Sequence, residues 1–193
     1  MSHIPELEAK FLAALGEIDA AYAERVHAAG CACCGGALDR ANYPRKPRGD
    51  LGEAAEAYEL RWSFCCRRDG CRKRATPPSL RFLGRKVYVA VLVIVTSVAA
   101  RATSIIGRGC ARRLHGVPVR TVRRWLSWWQ TAFALSTFWL EARAFFATPV
   151  EVEALPASLL SRFGGQSEAV VKMLRFTAPV TTTSVKARIA MVG

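Results

Sequence analysis

Apolar residues recur along the start of the chain at close to one helical turn: Leu7, Phe11, Leu15 with Ala14 beside it, Ile18, Tyr22 and Val26. That period predicts an amphipathic helix over 5–27. Pro5 suits its first turn, Glu6 and Glu8 suit the positive end of its dipole, and Gly30 ends it. Such a helix packs on the rest of the chain or pairs with a second copy, and packing is preferred. Beyond Gly30 the pattern changes. Arg40–Gly49 is a basic, proline-broken loop and 52–60 a short helix. Arg61–Cys65 alternates and predicts a strand, and Arg72–Thr76 a return strand stopped by Pro77 and Pro78. A long helix is expected over 80–104, then helices over 108–115, 118–134 and 136–147. Short helices follow over 156–163 and 167–177, separated by Gly164 and Gly165. The tail 180–193 has no period, and no internal repeat is evident.

The apolar run Val87–Ala100 is 14 residues long and ends at Arg101. A membrane span needs about 20 apolar residues, so the run reads as a buried core helix and no membrane partner is expected.

Composition narrows the class. The chain has 193 residues, 51% of them apolar, so it has material for a core. Its net charge is +13. The first 30 residues carry five acids against two bases, whereas Gly70–Leu140 holds 13 Arg and Lys and no acid. A solvated face mixes both signs, so this run points to a nucleic-acid partner, with an acidic protein or a lipid surface as the alternative. Seven cysteines, an odd number, without a secretory leader pattern fit a reducing cytoplasm, with the protein on the nucleoid.

The cysteines come in close pairs: Cys31-x2-Cys34 followed by two glycines, and Cys66-x4-Cys71. Two thiolates at such spacing can face one ion while the glycines let the backbone fold beneath them. Cys31, Cys34, Cys66 and Cys71 are therefore the expected ligands of one structural Zn2+ per chain. Cys65 is the alternative to Cys66, which is preferred because Arg67–Gly70 then forms a tight four-residue spacer. Cys33 is expected to point away and Cys110 to be a small core residue. Four thiolates fill the ion's coordination and leave no open position for substrate.

The segment Gly109–Leu126 has the layout of a helix-turn-helix. Ala111 and Leu114 face inward, Gly116 reverses the chain, Val117 fills the space under the turn, and Pro118 opens the second helix. Val122, Trp125, Leu126 and Trp129 form the inner stripe, leaving Arg120, Thr121, Arg123, Arg124 and Ser127 outward, where a recognition helix meets the major groove. Arg112 and Arg113 would add contacts from the first helix. His115 makes the turn one residue longer than usual. Arg45, Lys46 and Arg48 of the loop, with Arg72, Lys73 and Arg74 of the return strand, would grip phosphates beside that helix. The aromatic cluster Trp125–Phe146 reads mostly as core.

The Cys-x2-Cys-Gly-Gly knuckle, the strand ending Arg-x-Ser-Phe-Cys-Cys and the run Arg-Thr-Val-Arg-Arg-Trp-Leu together resemble the DNA-binding half of bacterial insertion-sequence transposases. They are also similar to small zinc-ribbon accessory proteins of mobile elements. The resemblance covers roughly 31–130 and implies binding to element ends or an operator. Transposase catalysis uses three carboxylates, and here Glu141 is the next acid after Asp69.

The expected architecture is mainly α with a small β zinc ribbon. Its parts are an N-terminal amphipathic helix (1–30), a four-cysteine ribbon (31–82), a helix-turn-helix domain (83–148), and a C-terminal helical extension and tail (149–193). The expected function is non-catalytic binding of double-stranded DNA, as a transposition accessory factor or transcriptional regulator. The alternatives are an interaction subunit docking on a separate transposase or integrase, or a binder of structured RNA. A homodimer is compatible with either.

Overall fold

The first expected helix is α1, Ala9–Ala29. It buries Leu12, Leu15, Asp19 and Ala23, spaced three or four apart so that they share one face. An acid on that stripe needs partners, and Asp19 has three. Leu80 N donates to it at 2.6 Å, Arg81 Nε at 2.8 Å, and Ser79 Oγ donates as well. Arg81, itself buried, also donates to the Ala57 carbonyl and lies over the Tyr58 and Phe82 rings. Tyr58 donates its hydroxyl to Leu12 O at 3.2 Å, and burial pushes its phenol well above the usual range.

These features belong to a computed structural model that describes residues 9–48, 51, 55–84, 88–103, 113–114, 116–164 and 166–181. The chain divides into two compact units, Met1–Ala90 with Arg175–Gly193, and Val91–Leu174. It is mainly helical, with small sheets.

In the first unit, β1 (Leu38–Arg40), β4 (Phe64–Cys66) and β5 (Arg74–Ala75) form an antiparallel sheet in the order β1-β4-β5. Leu38 faces Cys66 and Arg40 faces Phe64, while Phe64 also faces Ala75. β2 (Tyr43–Pro44) pairs with β3 (Leu60–Arg61) as a separate ribbon. The strand expected over 61–65 is thus split. Arg61 turns inward and donates to Pro77 O, and its burial lowers its pKa to about 10. Leu38, Phe64, Cys66, Cys31 and Ala23 form one buried cluster, with Val26 and Trp62 packed against it. His27 donates Nε2–H to Leu38 O at 2.9 Å and stacks on Phe64, tying the end of α1 to the sheet.

Two helical expectations need correction here. The helix expected over 80–104 begins at Ala90: α2 is Ala90–Thr103. Phe82 bridges Val89, Arg48 bridges Tyr88, and Gly84 has φ +59°, so Tyr88 and Val89 serve as extended chain. The short helix expected over 52–60 is a single tight turn, Glu56–Tyr58, and 52–54 lie outside the described residues. Among the described residues no helix is long and apolar enough to cross a membrane.

In the second unit, Arg113–Leu114 and Val117–Pro118 are strands β6 and β7 of a hairpin. The helix expected over 108–115 therefore does not reach its expected end. Gly116, at φ +71°, does reverse the chain, but into a two-residue hairpin loop rather than between helices. Residues 104–112 and 115 lie outside the described residues, and with them Arg112, Cys110 and His115. α3 (Val119–Trp128) follows directly and continues as a π-helical turn, Trp129–Phe133. Then come α4 (Thr137–Ala142), capped by Ser136, α5 (Ala157–Leu160) and α6 (Gln166–Thr177). Trp125, Trp129, Phe133, Phe138 and Trp139 are buried, so the aromatic cluster is core, and Phe145 alone of its members is exposed at 72%.

Candidate metal centre and basic surfaces

Cys31 lies just past α1, and Cys34 closes the first knuckle. Cys31 N donates to Gly36 O, and Gly35 N to Cys31 O, each at 2.8 Å. Cys66 ends β4, and Cys71 closes the second knuckle with its N–H on Arg68 O at 3.1 Å. The pairing Leu38–Cys66 sets the two knuckles side by side. Their sulfurs converge: Cys31 and Cys71 Sγ are 3.7 Å apart, Cys34 and Cys66 Sγ 3.5 Å, and all four lie within 4.8 Å of one another. Metal–thiolate bonds of about 2.3 Å give a tetrahedron with edges of about 3.8 Å. The four cysteines lie together and can hold a metal ion.

Backbone N–H groups point at these sulfurs. Those of Cys33 and Cys34 lower Cys31 to about 7, and that of Gly36 lowers Cys34. At Cys66 the Arg68 N–H favours thiolate, but burial and the Cys34 and Cys31 sulfurs outweigh it and raise the thiol. At Cys71 the Lys73 N–H is likewise outweighed, by burial and the three other sulfurs, and the thiol is pushed up to about 12. Four sulfurs at this range cannot all ionise unless a cation lies among them.

Cys65 faces elsewhere, with Sγ 3.5 Å from Arg72 O, and Cys33 is exposed. Gly36 sits against the cluster. A Cβ there would lie 3.3 Å from both the Cys34 and Cys66 sulfurs and 3.4 Å from Arg68 Cβ. Gly36→Ala is expected to weaken metal binding about tenfold or more in a chelator competition, as changes just behind metal ligands do. Unchanged affinity would show that the ligands move freely.

On α3, Arg120, Arg123, Arg124 and Ser127 are exposed and Thr121 is half-buried, opposite the buried Val122, Trp125 and Leu126. Arg124 Nη2 lies 3.4 Å from Thr121 Oγ1. Pro118 precedes the helix without a side-chain cap, and the first turn has no acid. Of Arg113 only the backbone is described.

The basic residues of the first unit separate into two groups. Lys46 and Arg48 are exposed, while Arg45 lies over the Phe82 ring and donates its N–H to Glu59 O at 2.6 Å. Their loop follows β2, toward the Arg40–Phe64 end of β1 and β4. Arg72 and Lys73 are exposed at the knuckle end. Arg74 is partly spent on structure, donating to Ala41 O and Ser63 Oγ and lying over Tyr43. Arg74 reaches back toward β2, whereas Arg72 and Lys73 stay exposed beside the second knuckle.

Sequence reasoning passed over Arg68, an exposed cation inside the spacer of the second knuckle. Its position between Cys66 and Cys71 was the available signal. Arg67, beside it, pairs with Asp39 at 2.6 Å, and that bond holds the Asp39 carboxyl below its usual range.

No protein-family model, curated protein or solved structure matches the chain.

Proposed function

We propose that this chain is a non-catalytic protein that binds double-stranded DNA and is stabilised by one structural zinc ion in a ribbon of four cysteines. The observation that carries the reading is α3. Its inner stripe is fully committed to core, and its outer face offers Arg120, Arg123 and Arg124 with Ser127 and no acid. Arginine's planar fork matches phosphate and the guanine edge alike. The uncapped N-terminus of α3 adds a partial positive charge at the same end. Zinc is the ion best suited to four thiolates in a closed site, and such a site is structural. A role beside a transposase, or as a regulator, accords with this chemistry.

The test is the salt dependence of binding to a duplex. If six phosphates are contacted, affinity falls about a thousandfold between 50 and 200 mM salt. Replacing Arg120, Arg123 and Arg124 together by alanine should flatten the log–log slope by about one for each phosphate contact removed. Binding that ignores salt would sink the proposal.

A second reading, docking on a separate recombinase, is favoured by Leu135, Leu140 and Phe145, which are exposed at 76%, 46% and 72%. Purified protein that retards no duplex but holds a recombinase through these residues would select it.

A further inference from the structure

The two knuckles both call for positive φ at one position and meet it with different residues. In each, the residue after the second cysteine is left-handed: Gly35 at φ +69° after Cys34, and Arg72 at φ +42° after Cys71. Glycine adopts that region freely, whereas a residue with a Cβ does so at a steric cost. Among the described residues Arg72 is the one non-glycine with positive φ. Space does not account for the difference, since a Cβ on Gly35 would meet nothing within 4 Å. Main-chain bonding does not account for it either. Arg72 N–H donates to Arg68 O at 3.3 Å and its carbonyl accepts from Cys65 Sγ, and a glycine would make both contacts.

What glycine would lack is the guanidinium. That group is exposed and has no hydrogen-bond or ion-pair partner among the described residues, and Asp39, which feels its charge, is already bonded to Arg67. Arg68 and Lys73 are exposed in the same loop, and Asp69 is its sole acid. Arg68 starts from beside the sulfur cluster, where its Cβ would lie 3.4 Å from a Cβ on Gly36.

We infer that the second knuckle is a phosphate-gripping tip for duplex DNA, formed by Arg68, Arg72 and Lys73, and that the strained backbone of Arg72 is retained for its side chain. Observed strain that packing does not require points to function. The inference rests on the DNA-binding reading above and adds a contact separate from α3. Its rival is a purely electrostatic one, in which these cations only offset the net negative charge of four thiolates around a divalent ion.

The experiment uses the full chain, a 30-base-pair duplex of random sequence and the matching RNA duplex, with melting and chelator competition on the same samples. Arg72→Gly should keep or raise thermal stability and keep metal affinity, yet weaken DNA binding about tenfold and reduce the salt slope by about one. Arg72→Lys, which keeps the charge, should retain the slope. Changing Arg68 and Lys73 to alanine as well should remove about three from it. Equal DNA binding by wild type and Arg72→Gly overturns this inference and leaves the α3 reading standing. A metal affinity that falls in step with DNA affinity assigns the cations to the thiolates and also overturns it. Preference for the RNA duplex overturns the choice of DNA, and a wild type that binds no duplex at 50 mM salt removes both readings together.

Discussion

Cys71→Ser is expected to abolish metal binding and to unfold the sheet of β1, β4 and β5 while leaving the N-terminal half of α1 folded. The reason lies in what the local core is made of. Of the five buried residues in that cluster, Cys31 and Cys66 are themselves members of the sulfur set. The strands are two or three residues long, too short to hold together without it. A structural zinc contributes about 10–16 kcal/mol to folding, as much as the whole stability of an ordinary domain. Further along α1, Asp19 is bonded to Leu80 and Arg81 independently of the metal.

Metal content, with amide exchange over 38–40, 64–66 and 74–75, checks this. Cys65→Ser and Cys33→Ser should retain one ion per chain. If Cys65→Ser lost the ion and Cys66→Ser kept it, the ligand set would be wrong. The pH dependence follows from the thiols. Cys66 is raised above its ordinary value of 9.0 and Cys71 is pushed up to about 12, so both carry protons below pH 9 until a metal displaces them. Affinity should therefore rise by at least about two log units per pH unit from pH 7 to 9 and fall on acidification.

Asp19→Ala is expected to destabilise the first unit by about 3–5 kcal/mol, the cost of stranding a buried charge. Arg81 is 3% exposed and its Nε would lose the carboxylate, along with the Leu80 amide and the Ser79 hydroxyl. The readout is a lower urea midpoint with an unchanged slope. Asp19→Leu combined with Arg81→Met should recover part of the loss, because paired removal leaves no unmatched charge although the Leu80 amide stays unpaired. A loss under about 1 kcal/mol would mean that water reaches Arg81.

The sulfur cluster was legible because its ligands come in local pairs, and only the doublet Cys65–Cys66 needed the structure to resolve it. Asp19 was not legible. The apolar period of the sequence runs through Phe11, Leu15, Ile18, Tyr22 and Val26, whereas the buried stripe is Leu12–Leu15–Asp19–Ala23, and the partners of Asp19 stand about 60 residues away where no periodicity announces them. The run from Val87 looked uniformly helical because period alone does not separate a buried strand from a buried helix. The bridge from Phe82 to Val89 settles it, through a contact outside any helical window. Arg113–Leu114 failed for a related reason: a glycine reversal serves a hairpin as readily as a helix pair. The inner stripe of α3 was fully legible, since its 3.6-residue period and its burial coincide.

A small sheet whose buried cluster takes two of its five members from the sulfur set frees its remaining positions from the duty of packing. Between Leu38 and Ala75 the sheet asks for apolar side chains at few places, and Leu38 and Phe64 are the ones in its buried cluster. That frugality lets a short segment carry Arg67, Arg68, Arg72, Lys73 and Arg74 almost in succession, a density of charge that a core built from leucine and valine could not sustain at this size. Binding chemistry at the rim can then be rewritten residue by residue while the scaffold beneath stays the same.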